Sequence, residues 1–493
     1  MNPYASKRPN FGGQREASPR EDRLPFGGFR ENRQFWVLTG WLAVVFLFGG
    51  SSRVDSSSLL LLYPLSVILL AYAVFGLSWD HVKHNRFLFG LAALILGLPL
   101  LQLLPLPHAI WSSLPGRDLI VAIDAQAGAS DVWRPLSMAP RLTESAFWSL
   151  IAPVATLVLA VQLSNRQRIA LVSSVLAIGV MDVLISAIQL FQGSSSVLYL
   201  HRITSRTLPV GLFANRNHQG LFLAIVLILL AFWSVKSGFF RGMGRHLRKE
   251  YLAGLITLGG AAILLPLVLV TGSRSGTMLA VAALLLTPFF VFGGSKEGHI
   301  SGAGRKIGIS ICVALVLLGA MVAVAYGEGQ AVSLIRLGEQ TATEDMRLLI
   351  LPTLIEMIST YMPWGTGFGS FETVYKVSEP DALLRGFYMN QAHNDWLDLA
   401  LTGGVPALVL VALAGGGFAV RLYNLFRAGS AAQGFYLALA GAATLVLMAL
   451  ASITDYPLRL PSLMCLAAVA MVWLVPAKSG STGLRSSWKN SDD

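Results

Sequence analysis

Arg347 and His393 bracket the longest polar interruption between apolar runs, apart from the N-terminal tail. A guanidinium presents a rigid fork of donors that suits phosphate oxygens. An imidazole can take a proton near neutral pH. One loop therefore carries the two groups needed to hold a phosphorylated donor and to activate a hydroxyl. His393 is set at the start of the next apolar run, where a helix N-terminus disfavours a charged imidazole and suits a neutral base. Asp395 and Asp398 follow closely and are rival bases, although a carboxylate at a helix start is also an ordinary cap. Asn394 completes a polar triplet with His393 and Asp395.

Three further stretches carry polar chemistry. Gly365, Gly367 and Gly369 alternate within the same loop. They permit a tight turn and close approach of backbone to a ligand, and plain turn formation explains them equally well. Their spacing is not that of a dinucleotide fingerprint, and no strand precedes them. Asn215-Arg216-Asn217-His218 sets an unusual density of donors at the mouth of an apolar run. The plainer reading is an interfacial cap that solvates a helix start. Ser273-Arg274-Ser275-Gly276 is a turn between two apolar runs, with small residues that leave room for a ligand beside Arg274. The alternative is an arginine that snorkels to lipid phosphate. No pair of histidines at metal spacing accompanies the His393 triplet, and the expected site has no metal and no cofactor.

The elements that must position these residues are transmembrane helices. Of 493 residues, 54% are hydrophobic and 13% charged. A soluble domain carries about 25% charged residues. Apolar runs near the length of a membrane span recur at roughly 35–50, 58–79, 87–104, 144–163, 169–192, 219–235, 251–271, 275–294, 307–326, 396–419, 434–454 and 460–476. The expected fold is an all-α polytopic membrane protein of about twelve spans, with a large outer loop, 327–395, that carries short helices. Most of the 37 Lys and Arg fall on one side of that arrangement, which places both termini in the cytoplasm. The same bias accounts for the net charge of +11 without nucleic acid.

The polar tail 1–34 reads as disordered, followed by an uncleaved first span. Leu348, Leu351, Leu354, Ile355 and Ile358 predict an amphipathic helix on the outer leaflet, kinked at Pro352. Cys312 and Cys465 fall in apolar runs and read as packing residues, not a disulfide. Asp182 stands alone near the middle of a span. Such an acid is a functional candidate by default, and a hydrogen bond to Ser or Thr of another helix is the plainer reading.

In their order and spacing these motifs resemble the O-antigen ligase family and the related polysaccharide polymerases. The resemblance runs from about Pro209 to Pro461 and takes in Asn215–His218, Ser273–Gly276, Arg347, Pro363–Gly369, His393-Asn394 and Asp455–Arg459. It implies a GT-C-like glycosyltransferase of the bacterial inner membrane, active on the periplasmic face. The donor would be a glycan on undecaprenyl pyrophosphate. The acceptor would be another lipid-linked glycan or lipid A-core, with membrane lipids around both and polysaccharide assembly proteins as further partners. Residues 35–208 would then be N-terminal helices, 209–463 the catalytic region and 464–493 the end of the last helix and a tail. His393, Arg274 and Arg347 would be catalytic. Arg216, Asn217, His218, Asn394, Asp395, Gly365 and Gly367 would bind substrate. The competing classes are a carrier or flippase, which predicts cationic groups inside the spans, and a scaffold, which leaves the motif set unexplained. Aromatics from Trp364 to Tyr388 suit sugar stacking more than Lys376 and Arg385 suit a phosphorylated core, which leans the reading toward polymerisation of an O-antigen or exopolysaccharide.

Overall fold

A computed structural model describes residues 32–54, 56–129, 131–236, 249–292, 347–384, 389–430, 432 and 434–476. Residues 1–31 of the expected tail, the expected span 307–326, Cys312, Arg385, Phe387 and Tyr388 lie outside these residues, and Arg33 and Gln34 of that tail already belong to the first helix. The first half runs α1 (Arg33–Phe48), α2 (Leu59–Phe75), α3 (Trp79–His84), α4 (Arg86–Leu103), α5 (His108–Trp111), α6 (Asp118–Gln126), α7 (Pro140–Ala160) and α8 (Asn165–Gln192). The second runs α9 (Arg216–Lys236), α10 (Lys249–Val270), α11 (Arg274–Phe292), α12 (Leu351–Tyr361), α13 (Phe371–Ser378), α14 (Asp395–Ala428), α15 (Phe435–Ala451) and α16 (Pro461–Trp473).

Seven of the described helices, namely α4, α7 to α11 and α14, are long and apolar enough to cross a membrane, and α1, α2, α15 and α16 are shorter apolar helices. A helix satisfies its own backbone, which is why apolar sequence crosses lipid in this form. The polytopic helical class therefore stands, and the number of spans stays open at twelve because one of them falls outside the described residues. At the centre is α9, buried along nearly its whole length and packed on α8, α10, α11 and α15. Gly220 of α9 meets Gly276 of α11 so closely that a Cβ on Gly220 would come within 2.7 Å of the other Cα. Small residues at a crossing let helix backbones approach. This crossing sets the start of α9 against the start of α11.

The loop before α13 fills a break in α14. Pro406 has no N–H, so the Thr402 carbonyl loses its helical partner. Gly404 takes φ 58°, and the Val405 N–H turns to donate to the Pro363 carbonyl at 2.8 Å. The stranded carbonyls are taken from outside the helix. Thr366 N donates to the Leu401 carbonyl and Gly367 N to the Thr402 carbonyl, both at 2.9 Å. Gln102 Nε2 also donates to the Thr402 carbonyl, while its Oε1 accepts from Phe368 N. Gly365 and Gly367 have positive φ, and a Cβ on Gly365 would fall 2.7 Å from Gly404 N. These glycines pack backbone against backbone. Residues 347–349 are helical, a turn at Ile350 interrupts them, and Pro352 lies in the first turn of α12, where its missing N–H costs nothing, so the expected kink takes the form of a break just before Pro352. A two-residue antiparallel pair, Pro105–Leu106 with Arg134–Pro135, closes the excursion that holds α5 and α6.

Candidate active site

The connection between α15 and α16 carries a buried carboxylate, Asp455, on which the start of α9 and the start of α14 converge. Its Oδ2 accepts from Asn215 Nδ2 at 3.1 Å and from Asn217 Nδ2 at 2.7 Å. Its Oδ1 accepts from Tyr456 N at 3.0 Å. The same oxygen faces His393 Nδ1 at 3.5 Å and His218 Nε2 at 3.8 Å. Burial alone would raise this carboxyl, but His218, the hydrogen bond and charge of His393, and Arg347 together outweigh it. They hold Asp455 well below the usual carboxylate range. Asp455 is therefore a fixed negative charge.

His393 is pinned on both sides. Asn394 caps α14 through Oδ1 to Leu397 N and donates from Nδ2 to the Ile453 carbonyl. Asp395 N donates to the Ser452 carbonyl at 2.9 Å. His393 itself takes φ 50°, a left-handed conformation that costs a non-glycine residue energy and is held only by its surroundings. The Tyr456 ring meets the His393 ring edge-on at 4.9 Å and the His218 ring at 5.2 Å. Arg347, in the helical turn before α12, brings Nη2 to within 3.2 Å of His393 Nδ1. The two partners of Nδ1 favour opposite tautomers: Asp455 one with a proton there, Arg347 one with a lone pair.

Arg274 enters from the α9–α11 crossing. The Ser273 hydroxyl donates to Asn217 Oδ1 at 2.8 Å and accepts from Gly276 N at 2.9 Å, capping α11 beside Arg274. Asn217 thus joins the carboxylate behind His393 to the turn that bears Arg274. Arg216 opens α9, half-buried, between the two asparagines that hold Asp455.

The structure sorts the expected site residues. It brings His393, Arg347, Asn217 and His218 to Asp455, with Arg274 joined through Ser273. It engages Asn217 on both ends of its amide and buries His218 behind Asp455, so both support the site from within. Asn394 caps a helix. Gly365 and Gly367 pack on α14 and on the stretch at Ser137. Asp395 and Asp398 meet Arg459 instead: Arg459 Nη2 lies 2.5 Å from Asp398 Oδ1, and its Nε 3.6 Å from Asp395 Oδ1. Asp395 Oδ2 also accepts from Ser452 Oγ at 3.0 Å. Asp455 is the residue that sequence reasoning passed over, although it lay within a motif already noted. Its signal is that it stands with Arg459 as the charged pair between the last two apolar runs.

Asp182 has a clear place as well. Its Oδ1 accepts from Leu212 N at 2.9 Å and its Oδ2 from Gln219 Nε2 at 2.6 Å. Two turns on, Gln189 Oε1 accepts from Val210 N and Gly211 N. The expected partner was a Ser or Thr of another helix. The main partner is loop backbone, and Ser186, on the same helix, joins only through Gln219. Asp182 and Gln189 hold the turn that leads into Asn215–His218.

Among the described residues no group of three or more His, Cys, Asp or Glu gathers as a metal site. No curated protein matches the chain. Residues 259–412 match the family model described as O-antigen ligase, a stretch that contains Arg274, Arg347 and His393, and over that stretch the chain is O-antigen ligase-like.

Proposed function

We propose that this protein transfers a glycan from a lipid pyrophosphate to the hydroxyl of a second lipid-linked molecule, at the periplasmic face of the bacterial inner membrane. The observation that carries the reading is His393 held between a buried carboxylate, Asp455, and an arginine, Arg347. When the donor's pyrophosphate draws Arg347 away from Nδ1, Asp455 is left to hold the Nδ1 proton. His393 Nε2 then carries the free lone pair and takes the acceptor proton. The acceptor oxygen bonds to the anomeric carbon of the donor glycan. The bond from that carbon to the pyrophosphate oxygen breaks, and the lipid pyrophosphate leaves with the electron pair. Arg274 and Arg347 stabilise the charge that builds on it. Cleavage of the activated bond drives transfer, so neither nucleotide nor metal is called for.

The test uses purified full-length protein, an undecaprenyl-pyrophosphate-linked glycan as donor and a lipid-linked glycan as acceptor, with EDTA present and nucleotide absent. Product should form. Activity that disappears in EDTA and returns with magnesium or manganese would overturn the metal-free mechanism. No product with any lipid-linked acceptor or with lipid A-core would overturn the reading as a whole.

A further inference from the structure

A cavity of about 850 Å³ lies beside the site, between a wall of α2, α4 and α7 and a wall of α14, α15 and α16. At one end it reaches Ser52, Asp395 and Trp396, and at the other Arg421. Between them the lining is apolar, with Leu410 and Gly415 of α14 among it. Two helical stretches of about 12 Å and about 25 Å, on either side of the break at Gly404, separate Asp395 from Arg421 at about 1.5 Å per residue. The hydrocarbon core of a bilayer is about 30 Å thick. The groove therefore continues past the midplane, beyond the reach of an acyl chain anchored in one leaflet. Its length fits one long chain that crosses from the site toward the opposite face.

The mouth of the groove tells which substrate such a chain belongs to. Neither Arg274 nor Arg347 lines it. Asp395 and Trp396 follow His393 within three residues, and the Tyr456 ring, in the connection that also lines the mouth at Leu458 and Arg459, packs on His393. His393 itself does not line the groove, whose arginines are Arg53, Arg421 and Arg459, and the mouth reaches Asp395, two residues from the base.

We propose that this groove holds the isoprenoid tail of the acceptor. The inference rests on the transfer reading above and adds what the acceptor is: a polyisoprenoid-linked glycan, not an acylated lipid of one leaflet. The reaction is then chain extension. The acceptor's sugar hydroxyl forms the new glycosidic bond, its proton goes to His393, and its own lipid pyrophosphate stays attached.

Two adjacent glycines supply the test. A Cβ on Gly415 or on Gly416 would meet nothing within 4 Å, and only Gly415 lines the groove. Gly415→Phe fills the groove without displacing a neighbour, and Gly416→Phe is its control on the same helix. With an undecaprenyl-linked donor held fixed, Gly415→Phe should raise KM for an undecaprenyl-linked acceptor glycan by about tenfold, the effect of displacing a few methylenes. It should leave KM for a geranyl-linked acceptor and for the donor unchanged. Gly416→Phe should match wild type in all three. A Gly415→Phe effect on donor KM alone would assign the groove to the donor and overturn the proposal, as would equal behaviour of the two variants. A second readout needs no transfer. Maleimide labelling of Gly415→Cys in detergent should be blocked by undecaprenyl phosphate and not by the same load of phosphatidylethanolamine, and labelling of Gly416→Cys should be blocked by neither. If the transfer reading fails, no variant forms product while this protection persists. Equal protection by phosphatidylethanolamine would mean that bulk phospholipid fills the groove, and the proposal would fall.

Discussion

Two acid–cation clusters sit side by side at the start of α14. In one, Asp455 faces His393 and His218, with Arg347 on the far side of His393. In the other, Arg459 faces Asp395 and Asp398. Both bury carboxylates against basic side chains, and in both the α15–α16 connection meets the start of α14. They differ in what is left over. The second cluster sets two carboxylates on a guanidinium, which cannot release its proton in a protein, and hydrogen bonds from Ser452, Leu458 and Thr402 add to it. Its cation can serve neither as acid nor as base. The first contains a histidine whose Nδ1 has two partners, while no described hydrogen bond engages its Nε2. A charge pair becomes a reactive site when one member can exchange a proton and still has a free face.

The sharpest break of this comparison is a paired substitution. His393→Ala or Arg347→Ala should lower transfer by about 10³-fold or more while the protein still accumulates in the membrane. Arg459→Ala should do the reverse and cost accumulation first. Removing one partner of a buried ion pair typically costs about 3–5 kcal/mol. Quantitative blotting of membranes beside a transfer assay reads both. An active His393→Ala protein, or an Arg459→Ala protein that accumulates normally and is inactive, would exchange the roles of the clusters.

Asp455→Asn tests the carboxylate behind the histidine. The amide keeps the shape but loses the charge that orients the Nδ1 proton, so kcat should fall by about 10²-fold or more with KM for donor little changed. A fall in KM-dependent binding alone would make Asp455 a binding residue. Lys in place of Arg274 or Arg347 should be milder, about tenfold or more down in kcat/KM, because a point charge does not replace the fork. Full activity in Arg347→Lys would show that charge alone suffices.

The smallest effect concerns pH. Asp455 is held below the usual carboxylate range, so its contribution to stability is present above the unfolded value of about 3.9 and is lost only as pH falls further through the folded value. Between pH 5 and 8 Asp455 stays ionised. Any proton that His393 or His218 takes up as pH falls strengthens its pairing with Asp455, so the stability difference between wild type and Asp455→Asn should hold or grow from pH 8 to 5 and shrink only in strong acid. Thermal unfolding in detergent measures it, and a difference that shrinks between pH 7 and 5 would mean that Asp455 titrates there.

Much was legible in the chain because it is local. Eleven of the twelve apolar runs fall on helices that the structure describes, most with boundaries off by a few residues. Arg274, Arg347 and His393 were readable because charged groups at the ends of apolar runs are few and their chemistry is intrinsic to the side chain. Partnership was not readable. Asp395 and Asp398 look like bases in sequence, and only the return of the chain after α15 brings Arg459 onto them. Asp455 looks like an ordinary loop acid until Asn215 and Asn217, more than two hundred residues away, donate to it. Gly365 and Gly367 carry the same letters whether they cradle a ligand or pack on a broken helix. The break that decides it depends on Pro406, Gly404 and Gln102 together. Helix formation follows from nearest neighbours and burial of apolar area. Which oxygen meets which cation follows from where distant helices cross, and for this protein that was decided by the packing of α9, α11, α14 and the α15–α16 connection.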